Sequence, residues 1–233
     1  MKQGETITLA WCDNGMVEGK FAESLVTVVV NGIFNGLPIS NVIRNSGIQI
    51  SRQRQMLLDE WYDNHTSDWL FWVDSDVILT LDIIGKICKT ANKETHPIVS
   101  GVYFISKEMD GSLPVILPVI YDEFEEYRVV AHHPLPTEQV IKIDGSGMGL
   151  LMMHRNVVKQ LREKYGNEIS LFAENDLKGD KFIGEDISFF RKCKTLEIPV
   201  HAHTGAIAKH IKKSPWDLDY YKLYWNKENL PLT

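Results

Sequence analysis

The sequence predicts an α/β protein with a mostly parallel central sheet and helices on its faces. Three observations carry this. Short apolar, β-branched runs alternate with helix-period stretches through the first hundred residues, the order that builds βαβ units. One run, Trp69-Leu70-Phe71-Trp72-Val73, is apolar throughout, as a strand buried on both faces must be. The 233 residues are 44% hydrophobic and 24% charged, enough apolar surface for a sizeable core.

The elements follow in chain order. Thr6 to Trp11 reads as a first buried strand, and Cys12 to Gly15 as a turn. Gly19 to Val30 places Phe21, Leu25, Val28 and Val29 at near-helical spacing. A loop follows to Pro38, then a second strand from Ile39 to Asn45. Ser51 to Tyr62 is predicted helical, with Ser51 as N-cap and Met56, Leu57 and Trp61 as its apolar stripe. After the Trp69 to Val73 strand, Leu81 to Lys93 carries Ile83, Ile84, Ile87 and Cys88 on one helical face, and Pro97 to Ile105 reads as the next strand.

The pattern then changes. Residues 107–136 hold four of the nine prolines, and Val115 to Tyr121 and Tyr127 to Ala131 are expected as antiparallel strands of a smaller subregion. Leu150 to Met153 is a strand and Asn156 to Tyr165 a helix. The tail, 215–233, mixes five aromatic residues with charge and is expected to pack as an amphipathic helix. The organisation predicted is one domain over 1–233, with halves at about 1–106 and 107–214 and the tail beyond.

Composition removes several classes of function. A net charge of −6 lacks the basic footprint of a nucleic-acid binder. Cys12, Cys88 and Cys193 form no C-x-x-C pair, so neither a zinc ribbon nor a redox motif is expected, and the odd count fits a reducing compartment. The N-terminus shows no signal-peptide apolar region, and no apolar run approaches the roughly 18 residues of a bilayer span. A cytoplasmic protein is expected. No P-loop, H-E-x-x-H or G-x-S-x-G motif occurs.

Three stretches carry chemistry. The apolar strand ends in Asp74-Ser75-Asp76, whose carboxylates at i and i+2 point the same way in an extended chain. Two adjacent carboxylates repel unless a cation lies between them, and such oxygens suit a hard divalent ion that also holds phosphates. Gly184-Glu185-Asp186 stands before an apolar helix start. The helix dipole alone accounts for acids there, yet a general base also needs a fixed, partly buried carboxylate. His201, His203 and His210 cluster late in the chain, beside Lys209, Lys212 and Lys213, which would meet phosphate charge. Gly145-x-Gly147-x-Gly149 precedes a strand rather than joining strand to helix, so it is expected to let a sugar approach the backbone rather than to bind a dinucleotide.

Taken in order, the strand with Asp74-Ser75-Asp76, Ser100-Gly101-Val102-Tyr103, Gly145-Ser146-Gly147-Met148-Gly149 running into Leu150 to Arg155, Gly184 to Phe190, and a late histidine resemble glycosyltransferases of the GT-A fold. The likeness is to small phage and bacterial members and spans roughly Thr6 to Ile211; a viral member would work in the host cytoplasm. The resemblance implies a Rossmann-like GT-A domain, a nucleotide-sugar donor (UDP-sugar favoured, GDP-sugar possible), an acceptor hydroxyl and Mn2+ or Mg2+. It implies metal binding by Asp74, Asp76 and His210, and donor contacts by Asp74, Asp76, Arg54, Trp11, Asp13 and Lys209. It implies Asp186 as base if the reaction inverts, or as a positioning group if it retains, with Glu185 beside it for positioning. Arg52-Gln53-Arg54-Gln55 is similar to an R-x-R-N run of the family with Gln55 for Asn, and Trp11-Cys12-Asp13 replaces the family's frequent Pro-Thr-Tyr-like turn. The alternatives are a nucleotidyltransferase, against which the absence of Arg and Lys from Cys12 to Gly19 counts, and a non-catalytic sugar-binding module.

Overall fold

The structure is a computed structural model that describes residues 1–109, 112–125, 128–176 and 182–212. The expected tail helix over 215–233 lies outside them. Seven strands form one sheet: β1 (Ile7–Asp13), β2 (Ile39–Ser46), β3 (Trp69–Val73), β4 (Ile98–Val102), β5 (Val140–Ile143), β6 (Leu150–His154) and β7 (Val200–Ile207). Their spatial order is β2-β1-β3-β6-β4-β7-β5. β1 pairs parallel with β2 and β3, and β4 with β7, whereas β6 is antiparallel to both β3 and β4, and β5 to β7. Five of the seven strands therefore share one direction, the mostly parallel sheet expected.

Among the described residues five helices cover it: α1 (Gly19–Phe34), α2 (Ile50–Asn64), α3 (Leu81–Thr90), α4 (Arg155–Tyr165) and α5 (Glu185–Thr195). Side chains alternate across a strand, so Trp69, Phe71 and Val73 of β3 meet α1 and α3 through Phe21, Val28, Ile84 and Ile87. Leu70 and Trp72 meet α2, α4 and α5 through Leu58, Trp61, Val158 and Phe189 on the opposite face. Both faces are dry, which is why β3 has no polar residue until it ends.

Local departures have local causes. α2 begins at Ile50 with Gln49 as N-cap and no side-chain cap; Ser51 is a buried first-turn residue. Its buried stripe is Leu57, Leu58 and Trp61, and Met56 faces solvent. α3 is capped by Thr80, whose Oγ1 accepts from the Ile83 N–H. The predicted strand from Pro97 to Ile105 is two. β4 stops at Val102, the buried Tyr103 turns the chain, and Phe104–Met109 forms a hairpin with Ser112–Pro118. The predicted strand Val115 to Tyr121 likewise breaks at Val119, beyond which Ile120–Glu125 pairs with Arg128–Ala131 and Gly145–Ser146. These hairpins are the antiparallel subregion. No helix among the described residues is long and apolar enough to cross a membrane.

Candidate active site

Because β1 to β4 run parallel, their carboxyl ends open at one edge of the sheet, where ligands bind in open α/β folds. A cleft of about 480 Å³ lies there. Its wall takes Cys12, Asp13 and Asn14 from the end of β1, Gly47, Ile48, Ile50, Gln53 and Arg54 from the turn into α2 and its start, and Asp74 to Asp76 from the end of β3. Tyr103, Ile105, Val119, Tyr121, Gly147, Met148, Glu185, Asp186, His210 and Lys212 also line it.

The two carboxylates of the Asp74-Ser75-Asp76 run do not point the same way. β3 ends at Val73, and the chain turns at once, with the Val77 N–H donating to the Asp74 carbonyl at 3.0 Å. The extended-chain argument fails because the pair lies in a turn and not in the strand. Asp74 faces α2, where its Oδ1 accepts from Arg54 Nη2 at 3.1 Å. The same guanidinium donates through Nε to Glu185 Oε1 at 3.2 Å. Arg54 is buried, and its charge is retained because Asp74 and Glu185 outweigh the cost of desolvation. It acts as an internal counter-ion between two carboxylates.

Asp76 faces the other way. Its Oδ1 lies 3.2 Å from His210 Nε2, and its Oδ2 accepts from Lys212 Nζ at 2.6 Å. Burial pushes this carboxyl up, but the bonds from His210 and Lys212 prevail and bring it down to about 2. His210 Nδ1 lies 2.8 Å from the Phe104 carbonyl oxygen, an acceptor only, so Nδ1 donates there and Nε2 is the nitrogen that faces Asp76. Metal-binding histidines are held in this manner. A separation near 3 Å is also what two adjacent ligands of one octahedral ion, each about 2.1 Å from it, take. Among the described residues no three His, Cys, Asp or Glu side chains form a metal cluster. The residues fit an ion with Asp76 and His210 among its protein ligands; Asp74, also in the cleft wall, has its Oδ1 engaged by Arg54.

Asp186 stands in the first turn of α5, and its Oδ1 accepts from the Ile187 N–H at 2.7 Å. Burial and the neighbouring Glu185 raise its carboxyl to about 6, against the lowering effects of that bond and Arg54. Its helix position favours charge, but desolvation wins. The Tyr121 hydroxyl is raised too, by burial and then by Asp186.

Asp13 lines the cleft, yet both its oxygens are engaged: Oδ1 by Arg44 Nη2 at 2.7 Å and the Gly15 N–H at 2.8 Å, and Oδ2 by Arg44 Nε and Trp11 Nε1. Arg44 foremost holds it well below the usual carboxylate range. Trp11 packs edge-on against Phe21, and exposed Lys209 pairs with Ile78. Neither Trp11 nor Lys209 lines the cleft. Of the late histidines only His210 does. His201 faces His96, and its imidazole is lowered to about 4 by burial first; His203 Nδ1 accepts from the Gly205 N–H.

The glycine run serves the protein's own side chains. A Cβ at Gly147 would strike the Tyr103 hydroxyl, and one at Gly149 would lie 2.5 Å from Asp74 Oδ2. That space belongs to Tyr103 and Asp74, not to a sugar. Tyr103, whose hydroxyl accepts from the Gly149 N–H and whose ring meets His210 edge-on, was hidden from sequence reasoning inside an apolar strand pattern.

No protein-family model and no curated protein sequence matches the chain. Solved structures do. The crystal structure of A197 from STIV matches with a TM-score of 0.54 at 20% identity, covering 89% of this chain and 87% of that one. GalNAc-T7, crystallised with UDP, GalNAc and Mn2+, matches with a TM-score of 0.57 at 9% identity, covering 96% of this chain but 48% of that one. Likeness to the inositol-1-phosphate CTP transferase from T. maritima is weaker, with a TM-score of 0.48. The GT-A fold implied by the sequence resemblance is thus the fold found; identities this low say nothing of residue roles.

Proposed function

We propose that the protein is a metal-dependent glycosyltransferase that moves a sugar, most simply a hexose, from a nucleotide-sugar donor to an acceptor hydroxyl. The observation that carries this reading is the pairing of two unlike sites in one cleft. Asp76 and His210 offer an ion pocket beside Lys212, and Asp186 offers a carboxyl held near 6. A base that titrates close to neutrality is what deprotonation of a hydroxyl requires. GalNAc-T7, of the same fold, was crystallised with UDP, GalNAc and Mn2+, which supports a UDP-sugar donor and Mn2+ here.

In this reading Asp76 and His210 would hold Mn2+ or Mg2+, which would supply Lewis-acid neutralisation of charge on the departing diphosphate. Lys212 exchanges its bond to Asp76 for a phosphate oxygen. If the transfer inverts the anomeric centre, Asp186 accepts the acceptor hydroxyl proton as the new glycosidic bond forms and the bond to the diphosphate breaks; if it retains, Asp186 positions the acceptor or donor. Arg54 fixes Glu185, and Glu185 in turn keeps Asp186 protonatable near neutrality. The wall beside Asp186, formed by Ile105, Val119, Tyr121 and Met148, receives the acceptor.

The test is a panel of UDP-, GDP-, CMP- and dTDP-sugars with and without Mn2+, read by release of free nucleotide and by binding. Metal-dependent turnover or binding of one nucleotide class is expected. Unchanged turnover in excess EDTA would remove the metal from the scheme, and no binding of any nucleotide would remove the reading altogether.

A further inference from the structure

One polar group in the cleft wall has no task in the scheme above. Gln53 is 95% buried, its relative exposure being 5%, and its Oε1 is enclosed with no hydrogen-bond partner, so the carboxamide must turn toward the cleft to meet a ligand. Leaving a buried amide oxygen unpaired costs about 1–3 kcal/mol, so such a group normally has a use. Gln53 lies in α2 and lines the cleft with its side chain against Gly47, where an added Cβ would come within 3.4 Å of Gln53 Cγ. Next to Gly47, Ile48 also lines the cleft and is fully exposed at 102%, an apolar side chain held in water at the rim.

The placement along the sheet matters. Gly47 and Ile48 follow β2, and the order β2-β1-β3 sets them two strands from the turn that bears Asp76. Strands are spaced about 4.8 Å apart, so this end of the cleft lies roughly 10 Å from the ion pocket. That is the reach of a nucleoside whose diphosphate sits at Asp76 and His210. Both oxygens of Asp13 are engaged, by Arg44 and by Gly15 and Trp11, so Asp13 has no acceptor to offer there.

We propose that the Gln53 carboxamide reads the edge of the donor's nucleobase, with Ile48 as an apolar shelf for the ring. Oε1 accepts a ring N–H and Nε2 donates to the adjacent carbonyl, a pairing that uracil offers. This rests on the glycosyltransferase reading only for the presence of a nucleotide.

The experiment is calorimetric titration of UDP, GDP and inorganic pyrophosphate, each with Mn2+, into the wild type, Gln53→Glu and Gln53→Met. Thermal unfolding of each variant confirms folding, and the isosteric Gln53→Met serves if the added charge of Gln53→Glu prevents it. UDP affinity is expected to fall about tenfold in both variants, the worth of one bidentate base contact, with pyrophosphate unchanged. Gln53→Glu, which presents two acceptors, is expected to lose less for GDP, because guanine offers two adjacent donors. If the wild type binds UDP and both folded variants bind it equally well, Gln53 does not read the base and the glycosyltransferase reading stands. An equal loss of pyrophosphate affinity overturns the assignment as well, since the effect is then general. If the wild type binds no nucleotide, both readings fall together.

Discussion

At the scale of single residues, Asp186 is under opposed demands. As the proposed base it must be ionised, yet its surroundings favour the protonated form and raise it to about 6. A carboxyl raised in the folded state contributes stability below its unfolded value near 4 and loses that contribution as pH rises through 6. Asp186→Asn is therefore expected to raise the melting temperature at pH 7, by about 1–3 kcal/mol in stability, with the gain shrinking toward pH 4. The same substitution removes the proton acceptor, and transfer should fall at least about a hundredfold with donor binding intact. In the wild type, kcat/KM should rise with pH through about 6 and then level off. Retention of most activity by Asp186→Asn would make another carboxylate the base. His210 shows why chemistry-bearing residues are only partly legible in a sequence: composition and spacing do not separate it from His201 and His203, the family resemblance alone points to it, and the contacts with the Phe104 carbonyl and Asp76 appear only in the fold.

At the scale of elements, α2 delivers Arg54 into the gap between β3 and α5. Truncation by Arg54→Leu leaves Asp74 and Glu185 without their shared cation, and a loss of about 3 kcal/mol or more is expected in chemical denaturation. Arg54 also lowers the Asp186 carboxyl, so the midpoint of the pH–rate profile in Arg54→Leu should move above that of the wild type. An unmoved midpoint would show that Arg54 does not act on Asp186. The loop before β6 makes the complementary case. Gly149→Ala puts a methyl group 2.5 Å from Asp74 Oδ2 and 2.8 Å from the Tyr103 hydroxyl, and both must shift. Reduced activity is expected with little change in far-UV circular dichroism. Element type and order were readable because β3 and its neighbours keep their apolar period. The division of residues 97–121 among four strands was not, since the break at Tyr103 is set by burial of its ring beside Gly149 and His210, contacts made across more than forty residues.

At the scale of the whole molecule, the cleft is built from chain segments that meet only in the finished fold: the turns after β1, β2 and β3, the Tyr103 bend, the glycine loop, the start of α5 and His210 with Lys212. A ligand that bridges these parts stabilises all of them together. UDP with Mn2+ at about a hundred times its dissociation constant should add about 2.7 kcal/mol to unfolding, an increment that EDTA should cancel. A thermal shift indifferent to EDTA would show nucleotide binding without the ion. The late position of His210 and Lys212 makes the phosphate end of the cleft the last part of the described chain to be supplied.

The antiparallel strand β6 gives that order of supply a further meaning. It lies between β3 and β4, which have no direct pairing with each other, so the middle of the sheet stays open until Leu150–His154 arrives. On a ribosome adding about 5–20 residues per second, β3 waits several seconds with one bare edge. Its tryptophans and phenylalanine are then a hazard for association between nascent chains. A fragment ending near residue 106 holds β1 to β4 but not the strand that joins them, and it is expected to be recovered as aggregate, whereas a chain carried through β7 is not. Nascent-chain proteolysis at successive stall lengths would show protection of β3 appearing only after β6 has left the tunnel.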